Sequence, residues 1–135
     1  MDQLNRYIEH TDAYLRLSGE RRTAEASAFL DDHVELVFPG GVTHSRLEEV
    51  FESAARLYRS IAKRYGTWDV APNPNGTVVV VSAGTLEGEN LHGARFEGVR
   101  YVDRITWRGD RIVRQEVWND LAVSGVLEAR VRQRA

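Results

Sequence analysis

The stretch Arg95-Phe-Glu-Gly-Val-Arg-Tyr-Val-Asp-Arg-Ile-Thr-Trp107, followed by Arg108-Gly-Asp110 and then Arg111-Ile-Val-Arg-Gln-Glu-Val-Trp-Asn-Asp120, decides the fold. Two runs rich in β-branched and aromatic residues flank a short polar turn, the pattern of a β-hairpin. Arg108-Gly109-Asp110 spells a cell-adhesion tripeptide, but here it reads as that turn. Successive side chains alternate across a strand, so Val99, Tyr101, Asp103, Ile105 and Trp107 share one face. Arg100, Val102, Arg104, Thr106 and Arg108 share the other, which is basic and wet. Asp103 is the one carboxylate on an otherwise apolar face. A carboxylate there is paired, protonated or at work. On the second arm, Val113, Gln115, Val117 and Asn119 are expected to face the same way. Trp118 and Asp120 are expected to point outward.

Working outward, the 135 residues read as one domain, 1–135, long enough for a single core. The net charge of −2 offers no basic patch for nucleic acid or an anionic membrane. No apolar run approaches the roughly 20 residues of a membrane helix. The N-terminus is polar, without a signal-peptide core, and there is no cysteine. These features point to a cytoplasmic protein. His10, His33, His44 and His92 show no metal-ligand spacing, and the latter two read as surface residues. No Gly-rich phosphate loop or Gly-x-Ser-x-Gly elbow is present, so no cofactor is expected.

Leu4, Tyr7, Ile8, Thr11 and Leu15 recur at helical spacing, predicting a first helix to about Leu17, stopped at Ser18-Gly19. Thr23 is read as the cap of a short second helix carrying Ala24, Phe29 and Leu30. Val34, Leu36 and Phe38 alternate in a short strand ended by Pro39-Gly40-Gly41. A third helix is expected from the capping box Ser45-Arg46-Leu47-Glu48 through Leu47, Val50, Phe51, Ala54, Leu57, Tyr58, Ile61 and Tyr65 to a stop at Gly66. This helix is expected to cross the concave sheet face. Strands follow at Thr67–Ala71 and Thr77–Leu86, around a Pro72–Gly76 turn. Gly98 marks a bulge. Leu121, Val123, Val126, Leu127 and Val131 predict a ragged C-terminal helix capped by Asp120, with a frayed basic tail of Arg130, Arg132 and Arg134. The plan is α+β: three N-terminal helices packed in the concave face of a curved, mostly antiparallel sheet, forming a cone with a pocket.

This order of elements resembles the nuclear-transport-factor-like, cystatin-like cone superfamily. The runs Gly98-Val99-Arg100-Tyr101-Val102-Asp103-Arg104 and Arg111 through Leu121 are similar to its SnoaL-like branch. The superfamily includes cyclases, isomerases, epoxide hydrolases, dehydratases and non-catalytic modules, so the resemblance implies a fold more than an activity. SnoaL-like polyketide cyclases use an aspartate in the cone as general acid/base for an intramolecular aldol closure, which implies Asp103 or Asp120 here. Limonene-epoxide-hydrolase-like members use Arg-x-Asp on one strand and a second Asp on the next. Tyr101-Val102-Asp103 and Val117 stand at those places, which counts against epoxide hydrolysis.

The expected function is binding of a small, largely apolar molecule in the cone, with cofactor-free general acid/base chemistry of the cyclase or isomerase type. The alternative is a non-catalytic ligand-binding or dimerisation module. Asp103 is the candidate acid/base, its pKa raised by desolvation. Its other reading is a structural pair with Arg95 or Arg114, or a solvated strand end. Tyr101 is the candidate donor to a substrate oxygen, or a core tyrosine with its hydroxyl satisfied. Phe38, Phe51, Tyr58, Val99, Trp107, Gln115 and Asn119 are the candidate ligand-binding residues. For Gln115 and Asn119 the other reading is cross-strand hydrogen bonding. The Val78–Val81 run and Trp118 make an apolar outer sheet face, which is expected to pair with its copy in a homodimer. Related cones commonly pair in this way. Otherwise the C-terminal segment covers that face.

Overall fold

The computed structural model describes residues 2–131. In chain order the elements are α1 (Asp2–Gly19), α2 (Thr23–Ser27), β1 (Leu30–Phe38), β2 (Val42–His44), α3 (Leu47–Ala55), β3 (Tyr58–Pro72), β4 (Val78–Asn90), β5 (Arg95–Arg108) and β6 (Arg111–Asn119). They form the α+β plan expected, with one six-stranded sheet in the order β2-β1-β6-β5-β4-β3. All neighbours are antiparallel except β1 and β6.

The alternation on β5 sets the inside of the sheet. Val99, Tyr101, Asp103, Ile105 and Trp107 are all buried. Their cross-strand partners Leu86, Gly84, Ser82, Val80 and Val78 continue the inward face onto β4. Gly98 has φ +72° where the β4–β5 register slips, so the expected bulge is present. A second slip, between Thr106 and Trp107, changes the parity of β6: Gln115 faces Ile105, but Ile112 rather than Val113 faces Trp107. Ile112 is therefore the buried residue and Val113 only half-buried, a correction to the simple alternation.

The long third helix is the largest departure. It ends at Ala55, and residues 58–72 form β3. Tyr58, Ile61 and Tyr65 fit a helical spacing, yet Ile61, Lys63 and Tyr65 fit a period of two equally well. A partner strand is available in β4, and tertiary pairing decides. Gly66 is no helix stop. It sits at a register slip opposite Ala83, where a Cβ would stand 2.7 Å from the Ala83 carbonyl oxygen. Arg46 is the N-cap of α3, without a side-chain cap bond. The carboxylate of Glu49, not Glu48, accepts from the Ser45 amide at 3.0 Å. Phe29 and Leu30 also leave the second helix, Leu30 opening β1.

With α3 short, α1 takes over the concave face. Tyr14 and Leu15 of α1 and Leu47 and Val50 of α3 share one core with Leu36, Val80, Ile105, Trp107 and Ile112. The Trp107 indole N–H donates to the Thr11 hydroxyl at 2.9 Å, which donates in turn to the Tyr7 carbonyl at 2.7 Å. α1 ends in a paired terminus: the Arg22 amide bonds the Leu17 carbonyl and the Arg21 amide the Ser18 carbonyl. Arg21 stands where glycine is usual, with φ +59°. For a residue with a side chain that conformation costs about 1–2 kcal/mol.

The C-terminal segment is a pair of turns, not a helix. Asp120 does not cap it; its carboxylate pairs with Arg100 at 2.7 Å. Leu121 is buried against Leu86, Phe96, Val99 and Tyr101, with Val126 and Leu127 beside it. Among the described residues the segment thus closes one end of the concave side and leaves the outer face open. Arg132 and Arg134 lie outside the described residues. Asn90 holds the segment. Its amide donates to the Val126 and Ala129 carbonyls at 2.9 and 2.7 Å, while its oxygen accepts from the His92 and Ala94 amides, both at 2.9 Å. Asn90 itself is fully buried, and Asn90→Ala removes all four bonds and should lower stability by about 2–4 kcal/mol. Hydrogen exchange should show the amides of 121–129 losing protection. A loss under about 1 kcal/mol with protection kept would mean that the apolar contacts alone hold the segment.

Candidate functional site

Between α1, α3 and the sheet lies a cavity of about 750 Å3. Tyr14, Leu15, Phe38, Leu47, Val50, Phe51, Ile61, Leu86 and Leu127 make most of its wall apolar. Exposed lining residues, among them Arg21, Val42, Arg56 and Leu57, mark its mouth. Of the residues singled out in the sequence, Phe38, Phe51, Tyr58, Tyr101, Asp103, Gln115 and Asn119 line this one space. Val99 and Trp107 do not. They face inward as expected, but Leu121 covers Val99 while Tyr7 and Phe29 cover Trp107, so both are core. Tyr58 reaches the cavity from β3 rather than from a helix.

Asp103 is 1% exposed and its neighbour is Lys63, with Nζ 3.2 Å from Oδ2. The contact is an ion pair by distance without hydrogen-bond alignment, and Oδ2 has no hydrogen-bond donor. Neither expected partner is involved. Arg114 pairs with Glu35 at 3.0 Å and lies on the outer side, and Arg95 sits in an exposed position far along β5. Lys63 gets there diagonally. The inward cross-strand rows run Lys63–Leu86–Val99, Tyr65–Gly84–Tyr101 and Trp68–Ser82–Asp103. Gly84 leaves the middle row without a side chain on β4. A Cβ there would stand 2.9 Å from the Tyr101 ring, so that ring occupies the gap. The Lys63 ammonium lies 5.3 Å from the same ring's centroid on its way to Asp103.

Burial pushes the Asp103 carboxyl above its ordinary value, and the Lys63 ammonium only partly opposes this. Burial also works to depress Lys63, but the charge of Asp103, with smaller help from Tyr65 and Tyr101, more than offsets it, so Lys63 is raised. Both shifts keep protons in the pair. The Tyr101 hydroxyl lies 3.0 Å from the Ser82 hydroxyl, and burial raises its pKa. Tyr14 donates to the Gln115 side-chain oxygen at 2.5 Å and is also raised by burial. Asn119 accepts from the Leu121 amide at 3.1 Å, shaping the turn after β6. Gln115 and Asn119 are therefore hydrogen-bonded to α1 and to the turn, not across the sheet. His44 is half-buried in the wall rather than on the surface, its Nδ1 3.9 Å from Glu49. The sequence reading missed Lys63, Tyr14, Arg21 and His44. Lys63 alone carried a signal: it sits between Ile61 and Tyr65 on one strand parity, as Asp103 does between Tyr101 and Ile105.

No protein-family model matches this sequence, and no curated protein does. Solved structures do match it in shape. TerC, co-crystallised with polyporic acid, superposes with a TM-score of 0.72 at 20% identity, covering 90% of this chain and 98% of TerC. A ketosteroid isomerase-like protein from Erwinia carotovora atroseptica gives 0.67 at 19% identity, covering 87% and 95%. An NTF2-like protein from Novosphingobium aromaticivorans gives 0.63 at 17% identity, covering 85% and 80%, and has a cystatin-like fold. The fold is NTF2-like. At such identities the likeness is one of fold alone, and it agrees with the cone that the sequence resemblance implied. Among the described residues no helix is long and apolar enough to cross a membrane.

The pair has a signature in stability. Because the folded-state pKa of Asp103 is raised above its ordinary 3.8, the folded state favours the neutral acid. Stability from this group is present at pH below the unfolded carboxyl range and is lost as pH rises through the raised value. Lys63, raised above 10.5, adds stability that is lost only as pH climbs through its own higher value. Asp103→Asn should remove the acidic slope from urea unfolding measured across pH. At neutral pH the amide mimics the neutral acid that the fold favours, so stability should stay or rise. Lys63→Met alone leaves the buried carboxylate without its partner and should lower stability at neutral pH by about 1–3 kcal/mol, and adding Asp103→Asn should recover most of that loss. A double variant as unstable as Lys63→Met alone would show that the two groups are not partners.

Proposed function

We propose that the cone binds a small, largely apolar carbonyl compound and moves a proton on it without a cofactor, as a cyclase or isomerase does. The observation that carries this reading is a 1% exposed carboxyl on the wall of an apolar cavity, faced by a single ammonium 3.2 Å away. In its ionised form Asp103 takes a proton from the carbon next to the carbonyl, and the electron pair moves to the carbonyl oxygen. The Lys63 ammonium stands beside the carboxylate to stabilise the enolate so formed. Return of the proton to another carbon completes an isomerisation. Attack of the enolate carbon on a second carbonyl of the same molecule, with the proton passing to the new alkoxide, completes an aldol closure. Tyr101 supports Lys63 with its ring. When Ser82 donates to its hydroxyl, the phenol hydrogen is left for a substrate oxygen. TerC holding polyporic acid, and a neighbour described as ketosteroid isomerase-like, favour an organic ligand here. The rival, a non-catalytic module, is favoured by a filled cone. Phe38, Phe51 and Tyr58 line the space rather than fill it, and Trp107 is in the core.

Deuterium exchange at the α-carbon tests the chemistry. A panel of bicyclic and tricyclic ketones including 2-tetralone, followed by NMR in heavy water, should include compounds whose exchange the protein accelerates. Asp103→Asn should lower that rate by about 100-fold or more, as expected for loss of a general base. Ketones that bind with exchange no faster than in buffer would point to the non-catalytic module.

We also infer a homodimer through the outer sheet face. Trp118 is 52% and Val102 37% exposed, and the two stand opposite each other on β6 and β5. The described part of the C-terminal segment packs on the inner side and does not cover them. A two-fold axis here would bury the pair against its copy. Sedimentation at micromolar concentration should give a dimer mass for the parent chain and a monomer mass for Trp118→Glu. A monomeric parent overturns the inference.

A further inference from the structure

The mouth of the cavity carries positive charge that proton transfer at Asp103 does not use. Arg16, Arg21, Arg56 and Lys63 line the cavity against two carboxylates, Glu20 and Asp103. Arg16 pairs with Asp12 at 2.8 Å and Lys63 with Asp103. Glu20 turns to Arg22, at 3.6 Å. Among the described residues this leaves Arg21 and Arg56 without a carboxylate partner, on the rim of a space that is otherwise apolar.

Arg21 is the residue built into place. Its guanidinium lies 4.4 Å from the centroid of the Phe51 ring. One end donates to the Ser18 carbonyl at 3.1 Å, and the other contacts the Tyr58 hydroxyl at 3.5 Å. The guanidinium is therefore held over an aromatic face with donors still free, an arrangement suited to a carboxylate. Arg21, Phe51 and Tyr58 also line a second depression of about 270 Å3, with Ala55, Arg59 and Leu91. These three side chains are thus the wall between the two spaces. The backbone adds an independent observation. Arg21 occupies a left-handed helix terminus that glycine would fill without strain. Folding gives no reason for an arginine there, whereas its side chain gives one.

We propose that Arg21 is an anion subsite and that the ligand is an amphipathic organic acid, its ring body in the cone and its carboxylate on the Arg21 guanidinium. This rests on the cone being a ligand site and adds the class of ligand. The charge asymmetry fixes the direction of entry: the apolar end leads toward Asp103 and Lys63, and the acid stays at the mouth.

The test compares anthracene-2-carboxylate with its methyl ester, by fluorescence titration of the full chain. The parent should bind the acid about tenfold or more tighter than the ester, as expected for a charge-assisted hydrogen bond. Arg21→Gly should bring the acid to the level of the ester, with the ester's own affinity moving less than about threefold. Its thermal midpoint should stay or rise, because glycine suits that backbone. Arg21→Asn, also tolerant of the left-handed region, should repeat the pattern if glycine loosens the terminus. An acid affinity unchanged in both variants, or equal losses for acid and ester, overturns the subsite. A parent that prefers the ester overturns it too, while leaving the cone as a ligand site. A parent that binds neither probe overturns the cone reading, and the role of Arg21 with it.

Discussion

A carboxylate removed from water has to be compensated, and in this protein the compensation is one lysine 3.2 Å away. That single contact ties together features distant in sequence. It requires β3 and β5, separated by β4, to bend so that a side chain on one reaches the other. It requires Gly84 between them, because a Cβ in that row would collide with the Arg64 carbonyl oxygen and crowd the Tyr101 ring. It also requires that ring, which turns its face to the lysine. The cavity wall is therefore set by the same side chains that make the ion pair tolerable.

The architecture was readable where one period had no competitor. On β5 the two-residue alternation and the Arg108–Arg111 turn left one reading, and burial follows it residue by residue. On residues 58–65 two periods fit, and the choice lay with a partner strand the local sequence does not contain. That misreading hid Lys63, because a lysine near the end of a helix is unremarkable, whereas a lysine between Ile61 and Tyr65 on a strand face is not. Gln115 and Asn119 were found as inward polar groups, but their partners were not. Tyr14 lies on an element 101 residues away, and the turn at Leu121 was read as a helix. Asn90 carried no signal at all. Its four bonds link a hairpin turn to a segment whose docking is visible only in three dimensions.

The closure made by that segment also changes what the outer face can be. Leu121, Val126 and Leu127 are spent on the inner cluster, so they are not available to shield Trp118 and Val102. Around these two, Arg104 and Arg114 share Glu116 at 2.9 and 3.4 Å, giving the apolar spot a charged border that is already neutralised within the chain. An apolar centre inside a paired rim is the composition of a surface that can meet its own copy without stranding charge.

Three residues run against folding, and all of them line one cavity. Apolar side chains in place of Asp103 and Lys63 would fill the wall at no loss of stability, since burying two charges costs about as much as their attraction returns. Glycine in place of Arg21 would relax the end of α1. Elsewhere local choices agree with the global fold: valines on the interior strand β4, glycine at the β5 bulge, small and polar residues in the turns. When departures from that agreement gather at one place instead of scattering, the place is where the side chains answer to something other than folding. Here they are a buried ion pair on the wall and a guanidinium held over an aromatic ring at the mouth, at two levels of the same apolar cone.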